Sequence, residues 1–174
     1  MSLGQSMLTA AALIIITVVV ITANRLILES QQDQFAGEAY HLASEMANSM
    51  LMEAAKKLFD ANVKTSYYQS ASEFTSPQYL GPSSSEQTAV PLPDTFPFKS
   101  IGGYNDFDDY HRYERIVDSP LITGFQMRDS VFYVKWDNLD TPQGYQQYLK
   151  KMVVRVLHPL YLTTPLYYST VSSY

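Results

Sequence analysis

The densest concentration of chemistry in this 174-residue chain is the stretch Ile101-Gly102-Gly103-Tyr104-Asn105-Asp106-Phe107-Asp108-Asp109-Tyr110-His111, where three carboxylates crowd beside a glycine pair. Oxygen ligands this close together can gather around Ca²⁺, which takes six to eight oxygens at about 2.3–2.6 Å. Asp106, Asp108 and Asp109 are therefore candidate calcium ligands, although EF-hand spacing is absent. The same residues suit a second role, because Asp and Asn side chains at turns accept hydrogen bonds from nearby backbone amides. Arg112 and Arg115 stand close enough in sequence to relieve the mutual repulsion.

Other catalytic or cofactor signatures are not found. His41, His111 and His158 are widely spaced, and there is no HExxH, GxSxG, GxGxxG or P-loop pattern. The expectation is a protein that is not an enzyme and that needs no cofactor apart from a possible calcium ion. The net charge of −5 argues against a nucleic-acid partner, since such surfaces are basic. With no cysteine in the chain, packing, neighbouring subunits or an ion must do the work of disulfides. Fourteen tyrosines supply large buried areas that end in a polar tip.

The acidic stretch must be positioned by a scaffold whose first element is Met7 to Ala23, an uncharged run that includes the β-branched block Ile14 to Thr22. Such a block is a poor choice for an isolated soluble helix. In lipid or in a dry bundle, backbone satisfaction makes it helical regardless. Extended to Leu28, the segment 7–28 covers about 33 Å, enough to span a bilayer once. The competing reading as a secretory signal has only Thr22-Ala23-Asn24 as a weak cleavage site.

Beyond Arg25 the pattern becomes amphipathic, with Ala36, Tyr40, Ala43, Ala47, Met50, Ala54 and Leu58 recurring at steps of three and four. The first proline is Pro77, and the only glycine between Gly4 and Gly81 is Gly37, so the reading predicts one helix over 5–63. Gly37 is the expected place for a kink, an unwound turn or a close contact. Residues 64–100, with Pro77, Pro82, Pro91, Pro93 and Pro97, predict a connecting loop or exposed strap. In the head, 101–174, a hairpin is expected from Leu121–Met127 and Ser130–Trp136 around Arg128-Asp129, followed by strands at Leu149–Leu157 and Leu166–Val171. The fold class is α+β: a long N-terminal helix, apolar then amphipathic, packed on a small, mainly antiparallel sheet.

This plan resembles that of type IV pilins and pseudopilins over the whole chain. A short leader, residues 1–4, ends at Gly4, and Gly4-Gln5 is similar to the family's peptidase cleavage site. The leader lacks Lys and Arg, and Thr9 stands where the family carries a glutamate. Asp106-Phe107-Asp108-Asp109-Tyr110 resembles the DxDDY loop of minor pilins of the mannose-sensitive haemagglutinin type, and pseudopilin heads are known to use a calcium loop. The resemblance implies a structural subunit of an extracellular, cell-surface bacterial filament, a homo-oligomer that passes through the inner membrane as a single-span precursor. Its core would be packed from Met7, Leu8, Ala11, Leu13, Ile14, Ile15, Ile16, Val18, Val19, Val20 and Ile21. The alternatives are a minor pilin or pseudopilin, and a single-span, membrane-anchored extracytoplasmic binding module.

Overall fold

A computed structural model describes residues 3–63 and 69–174. Met1 and Ser2 of the expected leader, and residues 64–68 at the start of the expected connecting loop, lie outside this range. The chain divides into two compact units, Met1–Glu38 and Ala39–Tyr174. The architecture is α+β, with a 53-residue helix α1, Leu3–Ala55, and a four-stranded antiparallel sheet.

In the first unit, Met7 to Leu28 is helical and its apolar side chains are exposed. Thr9, Thr17 and Thr22 turn their hydroxyls back onto the carbonyls of Gln5, Leu13 and Val18, at 3.1, 2.8 and 2.8 Å. Each threonine thereby satisfies its donor within the helix and presents its methyl group outward. Gly4 and Gln5 lie in the first turn, exposed. At Gly37 the helix is not unwound; the residue is exposed, and a Cβ placed there would meet nothing within 4 Å.

In the second unit the helix buries a narrow stripe, Ala39, Ala43, Ala47, Met50 and Ala54, against the sheet. Tyr40, expected on this stripe, is 48% exposed, and the buried position beside it is Ala39. The helix ends at Ala55 instead of running to Val63. There the amides of Lys56 and Lys57 turn back to the carbonyls of Glu53 and Ala54, and Lys57 Nζ donates to the carbonyls of Ile101 and Tyr104, both at 2.8 Å. The chain then leaves the helical path to exchange hydrogen bonds with the acidic loop, Leu58 N–H with Asn105 O and Phe107 N–H with Leu58 O.

The sheet has the order β1-β2-β3-β4, with β1 at Glu114–Val117, β2 at Phe125–Val134, β3 at Leu149–His158 and β4 at Leu162–Ser173. The expected hairpin around Arg128-Asp129 is not formed. Strand β2 runs straight through both residues, and Asp129 N–H donates at 3.0 Å to the carbonyl of Tyr113, the residue just before the first strand, extending the pairing of the two segments. The alternation there is real, but Asp129 occupies an inward position that apolar patterning reserves for a hydrophobe. Strand β3 agrees with the expected segment to one residue, and β4 begins four residues earlier than expected, absorbing Pro165 as an edge strand allows.

The region 69–100 is more than a strap. Ser83 opens the short helix α2, Ser84–Ala89, and Glu86 accepts from the Ser83 amide at 2.7 Å. Phe74 and Val90 are buried, and Asp94 bridges the outer edge of β1, donating to Glu114 O at 2.8 Å and accepting from Ile116 N–H at 2.9 Å.

Candidate functional site

Lys150 sits on β3 one step before the apolar alternation Met152, Val154, Val156, so the pleat turns it toward the interior. Its side chain is fully buried, and Nζ lies 2.8 Å from Phe59 O, 2.8 Å from Asp60 Oδ2 and 2.5 Å from Asp108 Oδ1. All three ammonium protons thus have acceptors. The rings of Phe59 and Tyr133 flank the charge at 4.6 and 5.3 Å from their centroids.

Around this cation the carboxylates divide the remaining donors. Asp60 accepts from Asn62 N–H and from the amide and hydroxyl of Thr75, at 3.0, 2.8 and 3.1 Å. Asp106 accepts from the amides of Ala61, Asp108 and Asp109 at 2.6, 2.9 and 3.1 Å, clamping the segment after α1 onto the loop. Asp109 accepts from the amides of Asn105 and Asp106, at 2.8 and 3.1 Å. Asn105 Nδ2 in turn donates to Glu86 Oε1.

Burial alone would push Asp60 up, but Lys150 and the Asn62 and Thr75 amides outweigh it and leave the group below its usual range. Asp108 is held above its ordinary value by burial, with Lys150 opposing. Asp106 is raised by burial and then by the charges of Asp108 and Asp109. Asp109 is pushed up to about 6, again by burial, against the pull of its two amides.

Of the three candidate calcium ligands, Asp106 and Asp108 converge, and their companion is Asp60; one oxygen from each lies within 4.8 Å of the others. Asp109 is not in this group. Two of these three carboxylates, Asp60 and Asp108, also hold the Lys150 ammonium, a fixed organic cation beside the point where they converge. The loop combines amide capping with an internal counter-ion.

A second buried network was not flagged by the sequence. Arg115, on β1, places Nη2 2.8 Å from Glu53 Oε2 and 2.7 Å from Ser100 Oγ, and Nε 2.8 Å from the Tyr113 hydroxyl. Glu53 also accepts from Tyr110 OH at 2.7 Å and Ser100 OH at 2.8 Å, while Tyr113 OH donates to Asp94 at 2.7 Å. Tyr104, Tyr110 and Tyr113 pack edge to face, with centroids 5.2–5.6 Å apart. The network fastens α1 to β1 and to the Pro-rich region. Its sequence signal was faint, since Glu53 lies on the polar flank of α1 and Arg115 in a strand too short to be recognised.

The histidines make separate contacts, and His158 Nε2 lies 2.9 Å from Thr123 O. His111 Nδ1 accepts from Val131 N–H at 3.2 Å, His158 Nδ1 caps the turn at Leu160 and Tyr161, and His41 lies exposed 3.8 Å from Glu45. These clusters are built to clamp chain segments together. Comparison with protein-family models, with curated proteins and with solved structures found no match for this chain.

Proposed function

We propose that this chain is a structural subunit of an extracellular type IV pilus-like bacterial filament, assembled by bundling its apolar N-terminal helices, with a minor pilin or pseudopilin as a variant of the same role. The observation that carries the reading is the contrast between the two units. The head closes its own core down to fully buried Ala43, Met50 and Val154, whereas Met7 to Leu28 leaves Ile14, Ile15 and Ile21 more than 60% exposed along a helix long and apolar enough to cross a membrane. Burying one such side chain is worth about 1.5–3 kcal/mol, so lipid before assembly, and other copies after it, are the partners this surface calls for. Both polar clusters of the head are consumed by structural bonds, which supports a scaffolding role without a resident cofactor.

The test is Ile15→Asp, which places a carboxylate in the proposed dry core at a cost of several kcal/mol. Electron microscopy of sheared cell-surface material should show filaments with the unaltered chain and none with the variant. Normal filaments from the variant would overturn the proposal. An unaltered chain found in the membrane but never in filaments would instead favour a single-span anchored binding module.

A further inference from the structure

The two edges of the sheet are finished differently. Strand β1 is four residues long and its outer edge is covered by Asp94. Strand β4 is twelve residues long, and among the described residues no hydrogen bond other than those to β3 reaches Leu166–Ser173. Every second residue of this segment therefore aims a backbone N–H and C=O away from the sheet. Edge strands of this length are ordinarily blunted by charge, proline or a bulge. Here Pro165 and the irregularity between Val156 and His158 blunt only the Leu162 end, and Leu166-Tyr167-Tyr168-Ser169-Thr170-Val171-Ser172-Ser173 carries no charge at all. The neighbouring strand, by contrast, holds Lys150, Lys151 and Arg155.

From this edge we infer that β4 is an interaction surface for a second copy of the same chain, with Leu166–Ser173 pairing antiparallel to its own counterpart. Length selects the occupant. Against β1 of another copy, a four-residue strand already bridged by Asp94, most of the β4 edge would stay unpaired; against β4 it pairs along its full open length. Neutrality permits it, since self-pairing brings no like charges opposite each other. The register is constrained as well. Residues directly opposite share a face, and Tyr167, Ser169, Val171 and Ser173 lie on the exposed face while Leu166, Tyr168, Thr170 and Ser172 are half-buried. Ser169 must then face either its own counterpart or an odd-numbered neighbour such as Val171, and the two-fold relation makes the contact closed. The contact belongs to the head and stands whether or not the helices polymerise.

The absence of cysteine makes the test clean. The full-length chain is prepared in mild detergent with single substitutions Ser169→Cys and Val171→Cys, alone and mixed, and oxidised with copper phenanthroline. Opposed residues of an antiparallel pair lie about 4.5–5.5 Å apart, inside the range of about 4.4–6.8 Å that a disulfide bridges. More than half of the protein should cross-link in at least one of these samples, against a trace for Ser130→Cys on the exposed face of central strand β2. The double variant Ser169→Lys/Val171→Lys should weaken self-association about tenfold or more, with the far-ultraviolet circular dichroism spectrum unchanged. Equal cross-linking at Ser130 and at β4, cross-linking of Ser169→Cys with Glu114→Cys on β1, or no β4 cross-link at all would each overturn the inference.

Discussion

Asp129 is 2% exposed and neither carboxylate oxygen has a hydrogen-bond partner, so replacing it should stabilise the head. Burial holds the group well above its ordinary value near 3.8, with Arg115 pulling it down and Glu53 opposing. Burial therefore favours its neutral form. Valine at this position would face Val154 across the ladder and suits a strand. Removing an orphaned polar group returns about 1–3 kcal/mol, and burying a valine adds about 1.5 kcal/mol, so Asp129→Val should gain about 2.5–4.5 kcal/mol in acid. The gain must grow with pH. Because the folded state holds the proton more tightly than the unfolded chain, the acid's favourable contribution is complete below pH 3.8 and fades as pH rises toward the folded value. The difference between variant and parent should widen by up to about 1.4 kcal/mol per pH unit across that window. Urea denaturation of both full-length chains in mild detergent, at pH 3.5, 5 and 7, measures it. A variant less stable than the parent, or a difference constant with pH, would refute the reasoning.

Lys150→Met should destabilise the head by about 3–5 kcal/mol at pH 7, because it strands Asp60 and Asp108 without their cation; in denaturation at successively lower pH the loss should shrink, because Asp108, which burial already raises, takes up a proton there. Melting the full-length chain with calcium and with a chelator should give the same midpoint, since the ammonium already balances the acidic loop; a rise of several degrees with calcium would show that an ion can displace it. Ala47→Leu, in the middle of the buried stripe, should lower stability by about 1–3 kcal/mol through overpacking, as read from thermal unfolding.

The coarse plan was legible because it rests on strong, local signals. An apolar run and a stripe at helical spacing announce α1, and the alternation from Lys151 to Val156 announces β3. What misled were residues whose partners lie far away in sequence. Asp129 broke the apolar face of β2 and suggested a turn where a strand continues. Leu58 fitted the helical period, yet the chain unwinds before it because the acidic loop competes for its backbone. The loop's carboxylates stand out in the sequence, but Asp60 and the Lys150 cation that join them come from distant positions. Lys150 was detectable in principle, since extending the β3 alternation back by one step puts it on the buried face. Asp60 offered no such clue, being assigned to a helix that does not reach it.

The lysine that balances the acidic cluster is joined to Asp60 across 90 positions of chain. During synthesis the ribosome delivers Asp60, Asp106 and Asp108 well before their counter-charge emerges. Until β3 leaves the exit tunnel, the acidic loop has no cation to close on, and the segment after α1 has only half of its clamp. Closure of this clamp therefore waits for β3, and because it uses an ion pair instead of a disulfide it proceeds in a reducing or an oxidising compartment alike.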